Sequence, residues 1–324
     1  MRLFRLTVVA GAFGLAACHD SSVPTQPSDQ SGVSPSTLSI GSDAIHIMPL
    51  DRGSQGPSAL AGPILYHGGP ILVRTKVASI YWATSRIYNG GPTPGTKGVG
   101  TADGSLVGYF LRNVGGSPYF NINTTYTDKV AGGHRVTNSV TYTQFWADNT
   151  SVPPSTGSTV SNATIRTEII KGLNQGKLTY DPATVYLVFT RGNTNLGGGF
   201  GSQYCAYHGT FAWNGKTIVY AAMPFDHQYV NGCTSRLKSP NNDQAADDEM
   251  SAMVHEIEES TTDFQLNAWF DAAGNENADK CAFNFGTTYT TTNGGKANVK
   301  LGTKDFLIQQ NWVAPNTGCR QHFP

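Results

Sequence analysis

Charge is scarce in this 324-residue chain and shows no bias. Asp, Glu, Lys and Arg make up 14%, with 22 basic residues set against 22 acidic ones. No net field therefore draws the chain to nucleic acid or to an anionic surface. The apolar run at residues 6–15 is about half the roughly twenty residues that a membrane-spanning helix needs. There is no internal repeat, no heptad pattern and no CxxC pair, and the last absence argues against a structural zinc site built from cysteines.

What is present at the amino terminus is an address. Arg2 and Arg5 precede the apolar run, and Leu15-Ala16-Ala17-Cys18 follows it. A basic start, a short apolar stretch and small residues before a cut form a secretory signal. Its ending resembles a bacterial lipobox, which implies residues 1–18 as a lipoprotein signal peptide and Cys18 as the lipidated first residue of the exported chain; the alternative is ordinary cleavage with Cys18 near the cut site. Residues 19–44 are rich in Ser, Pro, Gln and Asp, and such a segment reads as a disordered tether. Residues 45–324 remain as one folded domain, held at the membrane or cell surface by the lipid.

Four further cysteines, Cys205, Cys233, Cys281 and Cys319, suit disulfides in an exported protein, and proximity favours Cys205 with Cys233 and Cys281 with Cys319. Strands are expected at residues 77–82, 140–146 and 184–189, the last apolar enough to be central. Asp103 stands where it would cap a helix over residues 105–113. Ser161 or Asn162 would cap another helix running through Ile165, Ile169 and Leu173. Asn214-Gly215 marks a hairpin with a type I′ turn. The fold class is α/β, with α+β as the alternative: a mixed sheet flanked by helices, followed by a late helix over residues 243–262.

That helix carries His255-Glu256-Ile257-Glu258-Glu259, an HExxE pattern, with Asn275-Glu276-Asn277-Ala278-Asp279 downstream. Ala246, Met250, Met253, Val254 and Ile257 form an apolar stripe. His255 and Glu259 lie one turn apart on the opposite side, where both can reach one ion. The pattern resembles the metal-binding helix of a zinc peptidase with one histidine exchanged for glutamate. In that reading His255, Glu259 and Glu276 hold the metal, Glu256 is the general base, and Asp279 orients a ligand from behind. Zinc is the expected ion. The added carboxylate also suits manganese, and Asp263, Asp271, Asn275, Glu276 and Asp279 offer an oxygen-rich alternative for calcium. An i,i+4 His–Glu pair is also an ordinary helix-surface feature. His67 and His208, each beside glycine, are candidates for a cleft near His255 or simply loop histidines. Tyr66, Tyr207 and Trp269 would form either a sugar-stacking surface or core.

Tyr66-His67-Gly68-Gly69-Pro70-Ile71-Leu72, Cys205-Ala206-Tyr207-His208-Gly209, Ser239-Pro240-Asn241-Asn242-Asp243 and the stretch from Thr261 to Cys281 resemble the phosphate-induced protein 1, or EXORDIUM-like, family. The resemblance runs over residues 62–324 and is loose over 84–180. It implies a secreted or cell-wall protein. Plant members of the family generally lack the full HExxE pattern, so their growth role does not transfer, and the chain is more like bacterial members. Two functions stay open. One is an extracytoplasmic, lipid-anchored metallopeptidase-like hydrolase acting on peptides. The other is a non-catalytic surface protein that binds cell-wall polysaccharide, with a structural ion or none.

Overall fold

Strand-forming and helix-forming stretches alternate through most of the chain and collect into one eight-stranded sheet. The computed structural model describes residues 37–40, 43–50, 62–151, 153 and 159–324. The signal segment, Cys18 and the tether up to residue 36 lie outside the described residues. Within the unit from Val33 to Pro324, the strands are β1 (Thr37–Ile40), β2 (Asp43–Pro49), β3 (Leu65–Tyr66), β4 (Thr75–Trp82), β5 (Lys97–Val99), β6 (Val140–Asp148), β7 (Thr184–Thr190), β8 (Tyr204–Trp213), β9 (Lys216–Met223) and β10 (Trp269–Phe270). The helices are α1 (Leu106–Asn113), α2 (Asn162–Asn174), α3 (Val230–Cys233) and α4 (Gln244–Asp263).

The large sheet has the order β1-β2-β8-β9-β7-β4-β6-β5. Its four inner strands β9, β7, β4 and β6 are parallel, and the strands outside them pair antiparallel. Parallel strands need crossover connections that cover the faces, which is why β7 is buried at every position. On one face Val77, Val185, Leu187, Val219 and Ala221 pack against Phe110 of α1 and against Met250, Met253, Val254 and Ile257 of α4. On the other, Ala78, Ile80, Tyr186, Val188 and Tyr220 pack against Ile165 and Ile169 of α2. Tyr207 belongs to this second core, so it does not share an aromatic surface with Tyr66 and Trp269, which meet across β3 and β10.

Local signals mostly hold. Ser161 caps α2 by accepting from Thr164 N, and the hairpin β8–β9 turns through Asn214 (φ 49°) and Gly215 (φ 72°), the two positive angles that a type I′ turn requires. Two boundaries are corrected. The cap of α1 is Ser105, whose Oγ accepts from Gly108 N at 2.9 Å, while Asp103 accepts from Ser105 N and Oγ behind it. The expected tether over 19–44 ends too late, because Thr37–Ile40 pairs with residues 43–46. Strand pairing proceeds through the backbone and does not require the apolar side chains whose scarcity suggested a tether.

Helix α4 departs from the expectation of one apolar and one open side. All residues from 248 to 263 are buried. Its polar side is covered by β2 and β8, by the 3-10 turn Phe120–Thr125 and by the chain that follows β10. That following chain continues as three small hairpins: β11 (Tyr289–Thr290) with β12 (Lys296–Ala297), β13 (Val299–Leu301) with β14 (Lys304–Phe306), and β15 (Asn311–Val313) with β16 (Gly318–Arg320). The disulfides are the pairs that proximity favours. Cys205–Cys233 joins β8 to α3, and Cys281–Cys319 joins the turn after Asp279 to β16. Among the described residues no helix is long and apolar enough to cross a membrane.

Candidate metal centre

Four elements bring seven donor side chains together under the sheet. Helix periodicity sets His255 and Glu259 one turn apart, with Nε2 of the first 3.0 Å from Oε1 of the second. The antiparallel register of β2 and β8 places His46 directly opposite His208, with ring centroids 5.5 Å apart. Strand alternation turns both rings toward α4, since Ile45 and Ile47 on either side of His46 belong to the opposite core. The loop after β10 supplies Glu276 and Asp279. Asp271 shapes that loop by accepting from Asn275 N and from the buried Lys280 Nζ. Asp279 then accepts from Glu276 N at 3.0 Å, and its own N–H donates to Glu259 Oε1 at 3.1 Å.

The atoms converge, and only some of them satisfy one another. His46 Nε2 lies 2.7 Å from Asp279 Oδ2, and its Nδ1 lies 3.2 Å from Glu276 Oε1. His208 Nδ1 lies 3.0 Å from Glu256 Oε2. Yet His208 Nε2, His255 Nε2, Glu256 Oε1, Glu259 Oε2, Glu276 Oε2 and Asp279 Oδ1 are all buried without a hydrogen-bond partner. His255 Nε2 is near Glu259 Oε1 but out of line for a hydrogen bond, as expected of two groups aimed at a shared point rather than at each other. Leaving one such group unpaired costs about 1–3 kcal/mol, and more when it is charged. Six in one place are therefore a strong sign of a missing partner. Three triads, His46/Glu259/Glu276, His208/Glu256/Glu259 and His255/Glu259/Asp279, each bring three donor atoms within 4.8 Å of one another, and Glu259 belongs to all three.

Electrostatics describe the same gap. Burial disfavours charge on His255, but Glu259 and Asp279 outweigh it and raise its pKa well above the ordinary value. Burial opposes protonation of His46 as well, and Asp279 and Glu259 again prevail. His208 is held well below its usual range by burial and by repulsion from His46 and His255. Burial, reinforced by neighbouring carboxylates, raises Glu256, Glu259 and Glu276, whereas burial is outweighed at Asp279 by the two imidazoles and its pKa falls. Burial and mutual charge thus favour protons on His46, His255 and the three glutamates and disfavour them on His208 and Asp279. An imidazole and carboxylate donor set without thiolate suits zinc or manganese better than calcium, which takes oxygen ligands.

Of the residues singled out from sequence, His255, Glu256, Glu259, Glu276 and Asp279 meet here, and so does His208, which lies on β8 rather than in a loop. His67 does not: it is exposed, stacked on Phe270 at 3.6 Å, with Nε2 3.1 Å from Phe270 O. Asp271 is engaged by Asn275 N and Lys280 Nζ, and Asp263 Oδ1 accepts from Asn267 N and Ala268 N, while Asp263 Oδ2 is buried without a hydrogen-bond partner. Glu258 points to the other side of α4, where Tyr119 Oη and Asn123 Nδ2 donate to it, and burial pushes its pKa up to about 8. The residue that sequence reasoning missed is His46. Its signal was faint: a polar residue at the centre of Ile45-His46-Ile47-Met48, on the inward side of the alternation.

The chain matches a family model described as phosphate-induced protein 1 conserved region over residues 114–306, or 193 of its 324 residues. The matched region includes His208, α4 and the loop with Glu276 and Asp279, and begins after β2. No curated protein and no solved structure matches the chain.

Proposed function

The chain belongs to the phosphate-induced protein 1 family, and from that premise we propose that it is an exported, lipid-anchored protein whose folded domain is fastened by a divalent metal. The observation that carries this reading is the set of buried, unpartnered donor atoms around Glu259. A cation there would join β2 and β8 to α4 and to the loop at residues 271–281, four segments drawn from residues 43 to 281. Zinc or manganese fits the donors. His208 would present Nε2 with Glu256 on its Nδ1, the carboxylate–imidazole arrangement that fixes a metal-binding ring.

Enclosure favours a structural ion over an open catalytic one. His46, His208, His255 and the four carboxylates are each at most 2% exposed, whereas a catalytic zinc keeps a position open to water and substrate. A zincin-like peptidase is the second reading, favoured by one observation: Glu256 shares a triad with His208 and Glu259, and its Oε1 is free of partners, as a general base requires.

Elemental mass spectrometry on the full chain purified without chelator tests the proposal, with Glu259→Gln beside it. Zinc or manganese in the wild type, reduced in the variant, is the expected result. A metal-free wild type after equilibration with both ions would overturn it. Peptide hydrolysis that disappears in Glu256→Gln while metal content stays unchanged would establish the second reading instead.

A further inference from the structure

We propose that the centre holds two divalent ions bridged by Glu259 and Asp279, an inference that rests on the metal-binding reading above. The two carboxylates divide their oxygens between different imidazoles. Glu259 Oε1 lies 3.0 Å from His255 Nε2, while Oε2 lies 3.6 Å from His208 Nδ1 and 3.8 Å from His46 Nε2. Asp279 repeats the division, with Oδ1 3.5 Å from His255 Nε2 and Oδ2 2.7 Å from His46 Nε2. A lone ion bound by His255 would leave Glu259 Oε2 buried beside His46 and His208 with no partner, while Asp279 Oδ2 meets Glu276 N and His46 Nε2. Carboxylates that face two ways in this manner suit a pair of cations about 3.5–4 Å apart.

One ion would sit among His255 Nε2, Glu259 Oε1 and Asp279 Oδ1. The other would sit on the His46 side, with Glu259 Oε2, Asp279 Oδ2 and Glu276. His208 Nε2 lies 3.9 Å from Glu276 Oε2, and both atoms are unpartnered and buried, so that side has donors in reserve. Charge leads to the same count. Glu256, Glu259, Glu276 and Asp279 carry four negative charges when ionised, and their charged partners are three imidazoles. Two divalent cations neutralise four carboxylates with every imidazole neutral, the form in which histidine ligates. With one cation, the rest of the carboxylate charge would have to be met by protons on the carboxyls or on imidazoles that do not ligate the ion.

Manganese serves as the probe. The full chain, stripped of metal by unfolding in chelator and refolded with its disulfides intact, is titrated with Mn²⁺ by equilibrium dialysis, and the product is examined by electron paramagnetic resonance. The expected result is two Mn²⁺ per chain with an exchange-coupled spectrum, replaced in Glu259→Gln by an uncoupled one or by loss of one ion. One Mn²⁺ per chain, or two with simple uncoupled six-line spectra, would overturn the paired site and leave the single-metal reading standing. No bound Mn²⁺, and no Zn²⁺ in the same dialysis, would overturn both.

Discussion

Stripping the cation from the folded protein should lower its melting temperature by about 7 °C for each ion lost. A ligand that binds only the folded state stabilises it by about 4.1 kcal/mol when free ligand stands at a thousand times its dissociation constant. The unfolded chain cannot compete strongly, because His46, Glu259 and Asp279 come together only through the sheet register and the disulfide-anchored loop. Unfolding entropy of about 2.1 cal/mol/K per residue gives roughly 0.6 kcal/mol/K for the unit from Val33 to Pro324, and 4.1 kcal/mol divided by that is the 7 °C. Two ions would double the shift. The assay is scanning calorimetry on metal-loaded and metal-stripped protein at one pH, with metal content measured on both samples. Glu259→Gln should lose most of the shift, since that side chain belongs to every triad. Identical melting of loaded and verified metal-free wild type would refute the reasoning, because it would mean that the unpartnered atoms gain nothing from an ion.

Two further outcomes follow from parts of the fold away from the centre. Burial pushes Glu168 up to about 8, with Asp148 beside it adding to the shift. The folded state therefore keeps a proton that the unfolded state releases, and the associated stability is present below about pH 4.5 and lost as pH rises toward 8. Glu168→Gln should flatten that decline relative to wild type by on the order of 4 kcal/mol across the window, read from urea midpoints at several pH values. Replacing Cys281 and Cys319 together by serine opens a 38-residue loop, which should cost about 3.9 kcal/mol by loop entropy and weaken metal binding by freeing the turn that holds Asp279. Unchanged metal affinity in that double variant would separate the disulfide from the site.

What the sequence disclosed depended on the range of the signal. The i,i+4 spacing of His255 and Glu259 is a helix property and was readable, and Glu276 and Asp279 stood close enough downstream to be tied to it. The apolar run from Thr184 announced a central strand because parallel strands are covered on both faces. His46 was not readable, because its role depends on pairing with His208, 162 positions away by number, and no local pattern encodes that register. The burial of the polar side of α4 was hidden for a related reason. Asp, Glu, Ser and Thr at residues 247–263 look solvated until β2, β8 and the chain after β10 close over them. The misplaced end of the tether shows the same limit, since β1 and β2 owe their structure to backbone pairing rather than to composition.

The register that sets His46 opposite His208 also decides when the centre can exist. Its donors come from residues 46, 208, 255–259 and 276–279, so a chain threaded outward from its amino terminus delivers one ligand early and the last more than 200 residues later. A chain that ends before residue 276 lacks Glu276 and Asp279 and does not hold the whole site. If the protein is exported unfolded, the ion must be taken from the compartment on the far side of the membrane. The metal found in the protein would then record what that compartment contains.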